Sequence, residues 1–212
     1  MSVVVADKPI ADSEGKGGPF LGRVKRFSVE DYFRLMETGI LQDGDPYELL
    51  DGWIVRKMTK GPAHDPTAWV VEDELRRLAP RKWHVRPAVA MKLAKSVPEP
   101  DVAVFSTPVA VIRSRLPEAS EVALVVEVAD ATLNHDRTEK ACLYAEAKIP
   151  EYWIVNLPER QTEVHTQPRS KGDKSRYAKI AVFKEGETVP FKLDGAELGR
   201  LNVSDFFKMP PG

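Results

Sequence analysis

The sequence predicts an α/β protein: a mixed central sheet flanked by helices, with an added antiparallel β meander. Three observations support this. Helical and extended segments alternate along the chain, and one sheet covered by helices is the economical way to bury both. Val122 to Val128 is apolar on both faces, the mark of a central, covered strand. After Pro158 the pattern becomes a run of short strands, Thr162 to Thr166, Tyr177 to Phe183 and Val189 to Leu193.

In chain order, residues 1–24 read as a flexible leader, because Ser13-Glu14-Gly15-Lys16-Gly17-Gly18-Pro19 has the composition of loose chain. Residues 25–208 are expected to form a single domain. Ser28-Val29-Glu30-Asp31 has the form of a capping box, opening a helix that should run to about Thr38 and stop before Gly39. Tyr47 to Met58 reads as a hairpin closed by Asp51-Gly52, a pair that tolerates positive φ at both turn positions. Its register puts Glu48 on one face with Leu50, Trp53 and Val55. Thr67 to Leu78 is the second helix, with Arg76 and Arg77 at the negative end of its dipole. Extended segments follow at Trp83 to Leu93, Asp101 to Phe105 and Val122 to Val128. Asp136 to Lys148 is the third helix, with Asp136 as its N-cap, and Tyr152 to Asn156 is a further buried strand.

Composition excludes several classes of function. The chain has 212 residues, with 31 Lys and Arg against 32 Asp and Glu, a net charge of -1. A polycation that coats nucleic acid is excluded, although a local basic groove is not. One cysteine, Cys142, rules out a disulfide framework or a zinc finger. A mean hydropathy of -0.33 describes a soluble globular protein. No apolar run approaches the ~20 residues of a membrane helix and no signal peptide is apparent, so the cytoplasm is the expected location. No Gly-rich phosphate loop, nucleophile elbow or Cys-His pair points to a kinase, a triad hydrolase or a cysteine protease.

The residues that carry chemistry lie elsewhere. Asp101 starts one strand and Glu127 ends the next. If these strands are antiparallel neighbours, period-2 parity brings both carboxylates to one face at a common edge, Asp101 with Ala103 and Phe105, Glu127 with Ala123 and Val125. Paired hard oxygen ligands without His or Cys nearby favour Mg²⁺ or Mn²⁺ over Zn²⁺. On the third helix, Asp136, Lys140, Leu143, Tyr144 and Ala147 share one face, so Lys140 points with apolar residues toward the sheet. A lysine beside metal-binding carboxylates orients a water nucleophile and stabilises charge building on a phosphate.

These segments resemble the Uma-type restriction endonucleases, within the PD-(D/E)xK nuclease superfamily. The resemblance rests on Tyr47-Glu48-Leu49-Leu50-Asp51-Gly52, Glu99-Pro100-Asp101-Val102-Ala103-Val104, Val126-Glu127-Val128 and Ile149-Pro150-Glu151-Tyr152-Trp153-Ile154-Val155. The spacing from Glu127 through Asp136-Arg137 and Lys140 to Tyr144 is also similar. The resemblance implies a restriction-endonuclease-like fold and Mg²⁺- or Mn²⁺-dependent cleavage of DNA, with Asp101 and Glu127 as the motif acids. It further matches Glu48 to an acid of the Tyr-Glu-Leu segment and His64 to a histidine before the second helix. The superfamily's lysine sits two residues after the acid, where this chain has Ala129, and Lys140 would serve in its place. Where relatives show Ser-Pro-Ser-Thr, this chain has Ala129-Asp130-Ala131-Thr132.

The expected site is therefore Asp101, Glu127 and Lys140 as catalytic residues. The metal is expected on Asp101, Glu127, the Val128 carbonyl and Glu48. His64, in its Gly-Pro-Ala-His-Asp-Pro loop, reads as a turn or packing residue. The four tryptophans read as core or partly buried, and the basic loop of Arg169, Lys171, Lys174 and Arg176 as a solvated tip. DNA is the expected partner, and cutting both strands of a duplex suits a homodimer. The alternative is a non-catalytic DNA-binding or protein-interaction module on the same scaffold, which Ala129 and the neutral net charge favour.

Overall fold

The computed structural model describes residues 24–172 and 174–208; the leader expected over 1–24 lies, apart from Val24, outside the described residues. Helix α1 (Val29–Glu37) opens with the expected capping box, Ser28 accepting from the Asp31 amide and Asp31 from that of Ser28. The hairpin of β1 (Tyr47–Leu50) and β2 (Trp53–Arg56) pairs Glu48 with Val55 and Leu50 with Trp53. Its turn puts Asp51 at φ 45° and Gly52 at φ 80°. Helix α2 (His64–Leu78) starts three residues before the expected Thr67. Strand β3 is confined to His84–Pro87, because Pro87 lacks an amide hydrogen and Ala88 turns to φ 45°.

Strand β4 (Val102–Phe105), the short helix α3 (Val109–Ile112) and β5 (Val122–Ala129) come next. The chain then crosses back through α4 (Leu133–His135), a π-turn (Asp136–Lys140) and α5 (Ala141–Glu146) to β6 (Glu151–Asn156). This helical run begins before Asp136, so Asp136 is not an N-cap; it sits inside the run, buried, where the chain makes its π-turn. β7 (Gln161–Arg169) and β8 (Arg176–Lys184) complete a six-stranded sheet of order β3-β4-β5-β6-β7-β8. Within this sheet β5 and β6 are the pair that runs in parallel, and a parallel pair needs a crossover of this length. Two strands of the expected meander thus extend the central sheet. The third, β9 (Thr188–Leu193), pairs instead with β10 (Ala196–Asn202), a strand that the weak alternation of its sequence did not announce.

The sheet is covered on both faces. Ala68, Val71 and Leu75 of α2, with Phe191 and Phe206, pack on Val102, Val104, Val126 and Trp153. On the other face Ala141, Tyr144 and Ala145 pack on Ala103, Val125, Ala129 and Tyr152. A register shift after the Val104–Leu124 pair moves Ala123 off the face it was expected to share with Val125 and packs it with the α2 side. A third cluster, including Val29, Tyr32, Leu49 and Val97, fastens α1 and the hairpin beside the sheet. Trp153 is fully buried, whereas Trp69 is 61% exposed on the outer face of α2 and is not the core residue expected.

Replacing Trp153 with Ala should cost about 3–5 kcal/mol through lost burial and an unfilled cavity. Trp69→Ala should stay within about 0.5 kcal/mol. Urea denaturation of the two variants checks both expectations.

Candidate active site

Antiparallel pairing of Val102 with Val126 fixes where the two acids meet. One step outward along both strands, Asp101 lies opposite Glu127, and parity turns both toward the α5 side of the sheet. Asp101 is 8% exposed and Glu127 3%. Two carboxylates so placed repel each other in a poorly solvated setting, and the structure meets each with its own donors.

Asp101 is held at both oxygens. Oδ2 accepts from the Val128 amide at 2.8 Å and lies 3.2 Å from His64 Nε2. Oδ1 accepts from Lys60 Nζ at 3.0 Å. Burial alone would raise its pKa, but the hydrogen bond and charge of His64, the Lys60 ammonium and the Val128 N–H together hold it down at about 2. His64 opens α2 and is itself buried, its Nδ1 3.1 Å from Asp65 Oδ1. It is a member of the site, not the turn or packing residue expected from its loop. Lys60 drew no attention in the sequence, because the loop carrying it is 41 residues from Asp101 and nothing local marks the approach.

Glu127 is served from the crossover helix. Lys140 Nζ donates to Oε1 at 2.8 Å and Tyr144 Oη to the same atom at 2.7 Å, the i, i+4 pair expected on one helical face. Burial first, then the charges of Asp101 and Asp136, push the Glu127 carboxyl well above the ordinary range, with Lys140 offsetting part of this. Burial works against the Lys140 ammonium, but Glu127, Glu48 and Asp136 together hold it firmly charged. Asp136 is buried, its carboxyl raised chiefly by desolvation, and its Oδ2 is a buried oxygen with no hydrogen-bond partner. Ala129, in the superfamily's lysine position, is fully buried against Ala141 and Tyr144, so that place belongs to the core.

Glu48 lies on the inner side of the hairpin. It is buried and accepts from the Glu99 amide at 3.2 Å, while Lys57 pairs with Glu99. The hairpin is thereby tied to the Glu99-Pro100-Asp101 segment that delivers the acid. Glu48, Lys60, His64, Asp101, Glu127, Val128, Asp136 and Lys140 all line one open cleft of about 2060 Å³. The basic loop with Arg169, Lys171, Lys174 and Arg176 is exposed and lines no part of this cleft.

The donors here are carboxylate oxygens, the chemistry of a Mg²⁺ or Mn²⁺ site, and the unpartnered Asp136 oxygen is a buried acceptor of the kind a cation would satisfy. Among the described residues no three His, Cys, Asp or Glu side chains are yet grouped closely enough to hold an ion. Lys60 and Lys140 occupy the carboxylates instead.

His64 offers a direct check. Burial lowers its pKa, but the hydrogen bond and charge of Asp101 outweigh this and raise it above 6.5. The stability it contributes is therefore present below pH 6.5 and lost as pH rises through the folded-state value. NMR titration of the His64 ring should give a midpoint above 6.5 in the wild type and a clearly lower one in Asp101→Asn.

Comparison with known proteins bears on the fold and the family of the chain. A crystal structure described as that of "a putative nuclease belonging to DUF820" from Anabaena variabilis superposes with a TM-score of 0.56. The match has 16% identity and covers 82% of this chain and 96% of that one, which establishes the shared fold. No curated protein matches the chain. Among the described residues, no helix is long and apolar enough to cross a membrane. The model of the Uma2 family, described as "Putative restriction endonuclease", matches residues 29–203, and the chain belongs to that family.

Proposed function

We propose that the protein is a Mg²⁺-dependent endonuclease that hydrolyses DNA phosphodiester bonds. The observation that carries this reading is the opposed pair Asp101 and Glu127, buried at one strand edge, with the Lys140 ammonium on Glu127. Asp101 and Glu127 would hold the ion, with the Val128 carbonyl and Glu48 as further oxygen donors. A bound divalent ion supplies charge neutralisation at the phosphate and a more acidic water.

The chain's own residues do the rest. The Val128 amide and His64 fix the Asp101 carboxylate from one side. Lys140, immobilised by burial and by Glu127, orients the attacking water and stabilises negative charge that grows on the phosphoryl oxygens. Tyr144 locks Glu127 in place. Membership of the family and the shared fold support nuclease chemistry, while the metal and the DNA substrate belong to this proposal.

Nicking of supercoiled plasmid should require Mg²⁺ or Mn²⁺ and stop with EDTA. Asp101→Asn and Glu127→Gln should abolish it, and Lys140→Met should lower kcat by about 10²–10³-fold, each with a native circular dichroism spectrum. Undiminished cleavage by Asp101→Asn would refute the assignment. A wild-type protein that binds DNA but cleaves with neither ion would establish the non-catalytic module instead.

A further inference from the structure

We propose that Lys60 is the resident counter-cation of the metal seat: its ammonium holds Asp101 Oδ1 until a divalent cation takes that oxygen, so Lys60 sets the metal affinity of the site. The inference rests on the reading that Asp101 is a metal ligand.

The two oxygens of Asp101 are held in different ways. Oδ2 is bound by groups that cannot leave without disturbing the fold, the Val128 amide of β5 and the buried His64 of α2. Oδ1 is bound by Lys60 alone among the described residues, at 3.0 Å. Lys60 is 47% exposed and reaches in on a flexible stem from the loop before α2. A second acceptor waits for it, Asp65 Oδ1 at 3.5 Å, so the ammonium can leave Asp101 without losing all its partners.

Lys140 is placed differently. Its side chain is 12% exposed and its Glu127 oxygen also binds Tyr144, so it stays while the ion binds. An ammonium and a divalent ion cannot share one carboxylate oxygen without strong repulsion. Ion binding at Asp101 Oδ1 must therefore displace Lys60.

Isothermal titration of the full chain with Mn²⁺, without DNA, tests this. The wild type should bind an ion and Asp101→Asn should not. Lys60→Ala should bind Mn²⁺ about tenfold more tightly, the scale of one charge-assisted hydrogen bond partly open to water. Lys60→Gln, which keeps a donor but no charge, should behave like Lys60→Ala. Lys57→Ala, which removes a charge paired with Glu99, should stay within about twofold of wild type. Equal affinity in wild type and both Lys60 variants would overturn the proposal and leave the metal site standing. Equal tightening in Lys57→Ala would overturn it too, by reducing it to a general field effect. Loss of Mn²⁺ binding in wild type and Lys60 variants alike would remove the metal site itself.

Discussion

Two buried carboxylates facing each other across one step of an antiparallel ladder are the constraint on which the rest of the site depends. Side by side in a sheet interior, Asp101 and Glu127 would be strongly unfavourable if left bare, because charge there is poorly solvated and like charges repel. The surrounding structure answers with donors of opposite character. Asp101 receives the Val128 amide, His64 and Lys60, and stays ionised to low pH. Glu127 is buried more deeply, receives Lys140 and Tyr144, and is easier to protonate than an exposed glutamate. One edge thus offers a firmly anionic oxygen pair beside one that gains most from a nearby cation, and groups tuned apart in this way are characteristic of functional sites.

The fold is arranged to bring these donors together. Because β5 and β6 are parallel, the connection between them must cross the sheet, and its helices lie on the face toward which the two acids point. The π-turn at Asp136–Lys140 adds a residue to that helix and ends on the lysine, and such turns are frequent at functional sites. Ala129 remains in the core while the ammonium arrives from above. A lysine carried on the crossover, not on the strand, therefore reaches the acid without interrupting the apolar run of β5. From the opposite side, the hairpin fixes the Glu99 amide through Glu48, and the start of α2 brings His64.

Much of this was legible in the sequence where the signal was local. The capping box of α1, the Asp51-Gly52 turn and its register, and the two-faced apolar run of β5 each declare themselves within a few residues, and the structure contains all three. The meeting of Asp101 and Glu127 followed from strand parity once the two strands are antiparallel neighbours, and the inward turn of Lys140 from the helical spacing of the third helix. What escaped was what only the tertiary fold decides. Lys60 and His64, from the loop before α2 and its first residue, meet Asp101 from far away in the sequence with no periodic pattern to announce it. Asp136 looks like a cap because Asp caps many helices, whereas the helix had already begun. β10 mixes Glu197, Gly199 and Arg200 into a strand with little alternation, and Trp69 sits on an outer helical face where apolar character misleads.

The most direct test of the central claim is a crystal structure of the chain grown with Mn²⁺, read by its anomalous scattering. The account predicts a single strong peak at the β4–β5 edge with Asp101 and Glu127 oxygens about 2.0–2.2 Å from it, the distance range of a small divalent ion with oxygen ligands. A peak elsewhere in the molecule, or none at saturating Mn²⁺, would contradict it.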